Sequence, residues 1–324
     1  MKRYTWLLII SLLLTVTIPL NAQEDDDGYA IALERIQYAL DTNAEHLDLA
    51  RLNLSVLPPE ISQLSNLLWL DLTGNQLSNL PIEIGQLTNL EALYLSNNQL
   101  SELPTEIGQL INLQIFWVNS NQLSALPAEI GQLSDVEYLT LSNNELRDLP
   151  MEIGQLSNLR EFHLSNNQLS ALPAEIGQLH NLEYLNVDNN ELSDLPTEIG
   201  QLINLGSFSL NGNQFSVVPE EILELSSLHS LFLASNQLRA LPRQLGDSSI
   251  TFLHAHDNPL SFPPEAITVQ GSDAILDFLR HPKPYPPYTL SGSVIGVLVV
   301  WIVMMIASVM GLFKLLNRRQ FGMA

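Results

Sequence analysis

A block of 23 residues recurs along most of the chain, and this repetition restricts the possible folds more than any other feature. One copy, residues 90–112, reads LEALYLSNNQLSELPTEIGQLIN, and the shared pattern is L-x-x-L-x-L-x-x-N-x-L-x-x-L-P-x-E-I-G-Q-L-x-N. Copies begin at Ala44, Leu67, Leu90, Leu113, Val136, Leu159, Leu182, Leu205 and Leu228, and a partial copy begins at Ile250. A fixed period of this length predicts a solenoid, in which each unit packs only against its neighbours.

Each copy combines two hydrophobic periods. In residues 90–98, Leu93 and Leu95 alternate with Tyr94 and Ser96, which predicts a half-buried strand. In the second half, aliphatic residues recur at three- and four-residue steps, which predicts a short helical turn on the same core. One unit buries too little apolar surface to offset the entropy of ordering its backbone, so the units must stack.

This pattern resembles the leucine-rich-repeat family across residues 44–265. Within the family it is similar to the 23-residue class of Ras-group-related plant proteins, Ras-pathway scaffolds and many bacterial surface proteins. The resemblance implies a right-handed α/β solenoid of about ten repeats, a horseshoe with the parallel strands on its concave face. The GTPase module often joined to this class is not expected, because the chain contains no G-x-x-x-x-G-K-[ST] loop.

The ends of such a solenoid need caps. An amphipathic segment within residues 23–43 predicts an N-terminal cap helix, and a second one within 266–280 predicts a C-terminal cap helix. The chain has no cysteine, which excludes Cys-ligated zinc and thiol catalysis. The lack of disulfides favours a bacterial surface protein, or a fold that is stable without them.

The terminal segments predict a location. Residues 1–22 have a positive start and a short apolar run, typical of a signal peptide, with an uncleaved signal anchor as the alternative. Residues 294–313 are twenty residues without a charge and predict one transmembrane helix. The basic tail, 314–324, is expected in the cytoplasm, and the repeats outside the cell membrane. Residues 281–293 are rich in proline and predict an extended spacer.

One asparagine slot repeats without a break from the second copy onward. We interpret it as structural, with each side chain turned inward to satisfy backbone groups where the strand bends into the loop. A functional polar ladder is the competing interpretation. The slot holds Asn75, Asn98, Asn121, Asn144, Asn167, Asn190, Asn213, Asn236 and Asn258.

A ligand-binding surface is predicted on the concave face, from the third, fifth and eighth positions of each copy. Aromatic residues cluster there beside amides, which suits contact with a peptide, a protein or a glycan. Alternatively, the aromatics only cover the sheet. The candidate ligand-binding residues are Trp69, Tyr94, Trp117, Tyr138, His163, Tyr184, Asn143 and Asn166.

The charge excludes one class of partner. The chain carries a net charge of −22, and residues 23–290 hold 35 acidic and 8 basic residues, a balance of −27. Phosphate binding needs lysine and arginine, so no nucleic-acid partner is expected.

An enzymatic function is not expected. No catalytic signature of the H-E-x-x-H or G-x-S-x-G type occurs, and no cofactor or metal is predicted. The best metal candidate, His254 and His256 beside Asp257, lacks an evident further ligand. The sequence therefore predicts a non-catalytic binding module at the cell surface, of unknown oligomeric state. The alternative is a membrane-tethered scaffold that faces inward and binds signalling proteins.

Overall fold

The computed structural model describes residues 26–281, and these form a solenoid around one open sheet. Ten parallel strands pair in the order of the sequence, from β1 to β10. The strands are β1 His46–Asp48, β2 Trp69–Asp71, β3 Ala92–Tyr94, β4 Ile115–Trp117, β5 Tyr138–Thr140, β6 Glu161–His163, β7 Tyr184–Asn186, β8 Ser207–Ser209, β9 Ser230–Phe232 and β10 Phe252–His254. The predicted solenoid of about ten repeats is confirmed.

Strand pairing follows the repeat without a slip. Leu93 of β3 pairs with Leu70 on one side and with Phe116 on the other, so neighbouring partners lie 23 residues apart. Each strand has only three residues, shorter than the alternating segment in the sequence. A short strand suffices here, because the middle residue alone faces the core while its two neighbours form the outer face.

The second half of each repeat forms a short 3-10 helix of five residues. In the third repeat the carbonyl of Pro104 accepts a hydrogen bond from the N–H of Ile107 at 3.0 Å, which begins the helix. Proline fixes a backbone φ compatible with this start and needs no partner for a missing N–H. Within residues 26–281, nine such helices span Pro59–Gln63, Ile82–Gln86, Thr105–Gln109, Ala128–Gln132, Met151–Gln155, Ala174–Gln178, Thr197–Gln201, Glu220–Glu224 and Arg243–Asp247.

The core is one continuous hydrophobic layer between the sheet and the 3-10 helices. Most repeats place leucine at the middle of the strand, but Phe116, Phe162 and Phe208 take that position in alternate repeats and are fully buried. Each repeat shares this layer with two neighbours, which supplies the stability that a single unit lacks.

Both edges of the sheet are covered by cap helices. Helix α1, Asp26–Thr42, packs Ala32 and Ile36 on the first repeat, and Arg35 donates a hydrogen bond to the carbonyl of Asp48 at 2.7 Å. At the far end, α2 spans Glu265–Thr268 and α3 spans Ser272–Arg280.

The hydroxyl of Ser272 donates to the carbonyl of Leu253 at 2.8 Å and accepts from its N–H at 3.1 Å. The side chains of Arg35 and Ser272 thus form hydrogen bonds with backbone groups of the two edge strands, which would otherwise be free to pair with another chain.

Several predicted segments lie outside the described residues. These are the signal peptide 1–22, the spacer beyond residue 281, the membrane helix 294–313 and the tail 314–324. Across residues 26–281, no helix combines the length and the apolar character needed to span a membrane.

Candidate ligand-binding surface

The outer side of the sheet, which we call the strand face, is formed by the third and fifth positions of the repeats. It is not uniformly exposed. Ala92 and Ser209 are buried there, whereas Trp117, Tyr138 and Phe252 are 42 %, 36 % and 41 % exposed. The large exposed rings are therefore the features that a partner would meet first.

The N-terminal ring row consists of His46, Trp69, Tyr94 and Trp117, on four consecutive strands. Ring centroids lie 6.1 Å apart from His46 to Trp69, 5.5 Å from Trp69 to Tyr94 and 4.9 Å from Tyr94 to Trp117. The last pair meets edge to face at 87°. These contacts hold the rings in a fixed arrangement, which lowers the entropic cost of binding a ligand on them.

The other predicted rings form a separate group. The His163 and Tyr184 centroids are 4.9 Å apart, and Nε2 of His163 lies 3.3 Å from a carboxylate oxygen of Glu161. Thr140 occupies the fifth position between Trp117 and His163, so it separates the two ring groups. Tyr138 lies on the same strand as Thr140, two residues before it, at the third position.

A groove of about 540 Å³ opens beside Thr140, and we call it the Trp117 groove. Its lining includes Trp117, Ser96, Thr140, Asn143 and His163. The hydroxyl oxygens of Ser96 and Thr140 are buried and have no hydrogen-bond partner among the described residues. Each buried polar group left unpaired costs about 1–3 kcal/mol. The two oxygens have almost no accessible surface, so a ligand in the groove could pair with them only after the side chains rotate. No carboxylate or basic side chain other than a histidine lines the groove.

The eighth position of each repeat is governed by the backbone. Asn143 and Asn166 have φ values of 58° and 57°, in the left-handed region that asparagine and glycine tolerate best. Both side chains are exposed at this position, and Asn143 lies on the rim of the Trp117 groove. Oδ1 of Asn166 accepts a hydrogen bond from Nδ2 of Asn189 at 3.0 Å. The positive φ is one reason for asparagine here, and the contact of Asn143 and Asn166 with a ligand stays a prediction.

The repeated asparagine slot lies inside the solenoid. Nδ2 of Asn144 donates to the carbonyls of Leu141 at 2.9 Å and Val118 at 3.0 Å, while Oδ1 accepts from the N–H of Leu123 at 3.1 Å. Each side chain therefore joins its own repeat to the preceding one. The same three-bond arrangement recurs at Asn121, Asn144, Asn167, Asn190 and Asn213.

A second asparagine series, which sequence reasoning did not assign a role, links the repeats on the other side. Nδ2 of Asn112 donates to the carbonyl of Thr88 at 2.7 Å, and Asn181 and Asn204 make equivalent bonds to Ser157 and His180. The signal in the sequence is the last residue of the 23-residue pattern, which is asparagine in most copies.

The far end of the strand face carries another ring group that sequence reasoning did not select. Phe252 lies 5.4 Å from Phe232 and 4.6 Å from His254, measured between ring centroids. The ring centroids of His254 and His256 are 5.7 Å apart, and the ring planes meet at 67°. In the part of the chain that the structure describes, no three histidine or acidic side chains are grouped so that they could hold a metal ion.

One tyrosine on the strand face, Tyr184, has a raised pKa. Burial raises the pKa of Tyr184 above its usual value of 10.0. A hydrogen bond from Asn186 works in the opposite direction, and the charges of Asp188 and Glu161 raise the pKa further.

Three family models match the repeats. The model described as a leucine-rich repeat region matches residues 128–207, that of a leucine rich repeat matches 42–100, and that of two leucine-rich-repeat copies matches 88–135. The chain is a leucine-rich-repeat protein. Such proteins are generally binding modules without catalytic activity. A comparison with curated proteins gave no match.

Several solved structures are similar to this chain. A leucine-rich-repeat protein of Leptospira interrogans is 40 % identical with a TM-score of 0.62, over 65 % of this chain and 60 % of that one. The plant peptide hormone receptor RGFR1, in complex with RGF2, is 36 % identical with a TM-score of 0.58, over 63 % and 34 %.

The Arabidopsis receptor kinase HAESA, in complex with the peptide hormone IDA and a co-receptor, is 26 % identical with a TM-score of 0.60, over 68 % and 39 %. The chain thus spans 60 % or less of the length of each of these proteins. The repeats resemble receptor ectodomains, which indicates a ligand-binding module.

Proposed function

We propose that this protein is a non-catalytic receptor-like module of the cell surface that binds a peptide or protein segment on its strand face, centred on the Trp117 groove. The observation that carries the proposal is the groove itself. It places a tryptophan that is 42 % exposed beside the exposed amides of Asn97 and Asn143. Such a combination offers a partner both apolar contact and hydrogen bonds.

A polypeptide ligand fits the lining chemistry. An extended peptide presents an N–H and a carbonyl at each residue, and hydroxyl and amide side chains can pair with both. The lining residues of the groove come from four consecutive repeats, between Ser96 and His163, so several residues of a polypeptide could contact it. In the comparison structures, RGFR1 and HAESA are in complex with RGF2 and with the peptide hormone IDA. A glycan is the competing ligand, which the experiment below also detects.

The location outside the membrane is supported by the signal-like segment 1–22, the apolar segment 294–313 and the basic residues after it. Protease shaving of intact cells checks it, with one tag after Gln23 and another at Ala324. Loss of the first tag with survival of the second supports the proposal. If both tags survive while a known surface control is cleaved, the repeats face inward and the scaffold function replaces this one.

The ligand class is tested by selecting peptides from a random displayed library on the purified full-length chain. The selected peptides are then measured against the double variant Trp117→Ala with Tyr138→Ala, and against Ile82→Ala with Met151→Ala. Ile82 and Met151 are 61 % and 59 % exposed on 3-10 helices, across the core from the strand face, and serve as the matched control pair. We expect the double variant to weaken binding at least about ten-fold, since aromatic anchors dominate interface energies, and the control to leave it unchanged. Peptides that bind both variants alike would contradict the proposal, as would binding to an array of neutral glycans alone.

A further inference from the structure

Two carboxylates lie at the N-terminal end of the strand face, in line with the ring row. Asp48, Asp71 and Tyr94 hold the fifth position of three consecutive strands and pair in register. Adjacent strands are about 4.8 Å apart, so the two carboxylates are close neighbours, and like charges directly opposite one another on a sheet repel. A cation placed between them would remove that repulsion.

Among the described residues, no lysine or arginine side chain forms an ion pair with either carboxylate. One oxygen of Asp48 accepts the N–H of Ala50 at 2.9 Å, and one oxygen of Asp71 accepts the N–H of Thr73 at 2.8 Å. Within residues 26–281 the ion pairs are made by Arg160, His163 and His256, and neither aspartate takes part. The nearby guanidinium of Arg35 donates to the main-chain carbonyl of Asp48 instead.

The neighbouring rings favour a cation as well. Trp69 lies two residues before Asp71 on the same face, and its ring centroid is 5.5 Å from that of Tyr94. The faces of tryptophan and tyrosine attract ammonium and guanidinium groups through their quadrupoles. A guanidinium can stack on a ring and donate to a carboxylate at the same time, because it is planar.

The charge of the whole domain points to the same partner. Residues 23–290 have a balance of −27, so the potential around the strand face attracts basic segments and repels acidic ones. Within the strand face on β1 to β5, the acidic residues are Asp48 and Asp71, and no lysine or arginine is present.

We propose that Asp48, Asp71, Trp69 and Tyr94 form a subsite for an arginine or lysine side chain of the bound polypeptide. This inference rests on the proposed function, and it specifies that the ligand is basic at the end that lies over β1 to β3. The uncharged Trp117 groove then holds the part of the ligand that follows.

The experiment uses two fluorescein-labelled peptides, one with three arginines between glycines and one with citrulline at the same places. Citrulline keeps the shape of arginine without its charge. Anisotropy is measured with the full-length chain in about 150 mM salt, where the screening length is about 8 Å and distant charges contribute little. We expect the arginine peptide to bind at least about ten-fold more tightly than the citrulline peptide.

Matched variants separate the subsite from the general charge. Asp48→Asn with Asp71→Asn removes two charges and keeps an oxygen for the Ala50 and Thr73 N–H groups. Glu145→Gln with Glu191→Gln removes two charges from exposed loop positions after the strands. We expect the aspartate pair to abolish the preference for arginine, and the glutamate pair to change affinity less than about two-fold. Trp69→Leu should weaken the arginine peptide several-fold, as expected for a lost cation–π contact.

The results distinguish two failures. Equal losses from the aspartate and glutamate pairs would show general electrostatic attraction and overturn the subsite. An unchanged arginine preference in the aspartate pair would also overturn it, while the proposed function stands if selected peptides still require Trp117 and Tyr138. If selected peptides do not require the strand face, the proposed function fails whichever arginine result is obtained.

Discussion

Gly108 packs directly against the main-chain carbonyl of Glu129 in the next repeat, so closely that a β-carbon on residue 108 would lie 2.6 Å from that oxygen. The same approach recurs at Gly85, Gly131 and Gly154, at 2.5–2.7 Å from the corresponding glutamate carbonyl. Glycine in the E-I-G-Q segment is thus required by the close stacking of the 3-10 helices, because a side chain would force neighbouring repeats apart.

Gly108→Ala should therefore destabilise the solenoid by about 1–3 kcal/mol, the usual cost of overpacking a well-packed layer. Urea unfolding followed by circular dichroism measures this change. The matched control is Gly200→Ala, in the same slot, where the new β-carbon meets mainly the carboxylate end of Glu224, which can move. Equal losses in the two variants would contradict the packing explanation.

Asn144→Ala should destabilise the protein by about 2–4 kcal/mol. The substitution leaves the buried carbonyls of Val118 and Leu141 and the N–H of Leu123 without their side-chain partner. Equilibrium unfolding is again the measurement. Asn258→Ala is the comparison, since that side chain is only half-buried and water can replace part of its bonding, so a smaller loss is expected. A loss at Asn144 no larger than at Asn258 would argue against the bridging role.

Asn143 separates a backbone role from a ligand-binding role. Asn143→Gly should leave stability within about 0.5 kcal/mol, because glycine adopts the positive φ readily, whereas Asn143→Val should cost about 1–2 kcal/mol. Peptide binding to the glycine variant is then informative on its own. Weaker binding with unchanged stability would assign the side chain to the ligand, and unchanged binding would leave only the backbone role.

Tyr184 should ionise at a higher pH than a free tyrosine, since burial raises its pKa above 10.0. The folded state then holds a proton that the unfolded state releases, so the free energy of unfolding should fall as pH rises above 10. Tyrosine ring-carbon NMR follows the titration, and Tyr184→Phe assigns the signal and should flatten that part of the stability profile. Ionisation of Tyr184 at or below pH 10 would contradict this prediction.

Much of the fold could be predicted because the same packing contacts recur every 23 residues along the chain. Leu93 and its equivalents fall every 23 residues, so any arrangement that buries one buries all, and the parallel register follows. The cap helix at Ser272–Arg280 lies outside the repeats and could be predicted from its own pattern, because its apolar residues form one stripe among charged neighbours. The predicted membrane and signal segments lie beyond the described residues and stay predictions.

The candidate surface was less predictable, because it depends on neighbours across repeats. The sequence placed six aromatic residues in outward positions but could not show which of their rings touch, nor that Ser96 has a buried, unpartnered hydroxyl. It also offered Asn143 as a contact residue, whereas the positive φ at that position is a property of the folded turn.

By itself, the sequence determined the period, the identity of the core positions and the family, because hydrophobic burial in a stacked repeat depends on spacing alone. Only the tertiary structure decided which outward side chains touch, which polar groups remain unpaired and where glycine has no substitute. Those properties arise between residues about 23 positions apart in the sequence. There, differences of a few tenths of an ångström in a contact distance, as between Gly108 and Glu129, decide whether a side chain fits.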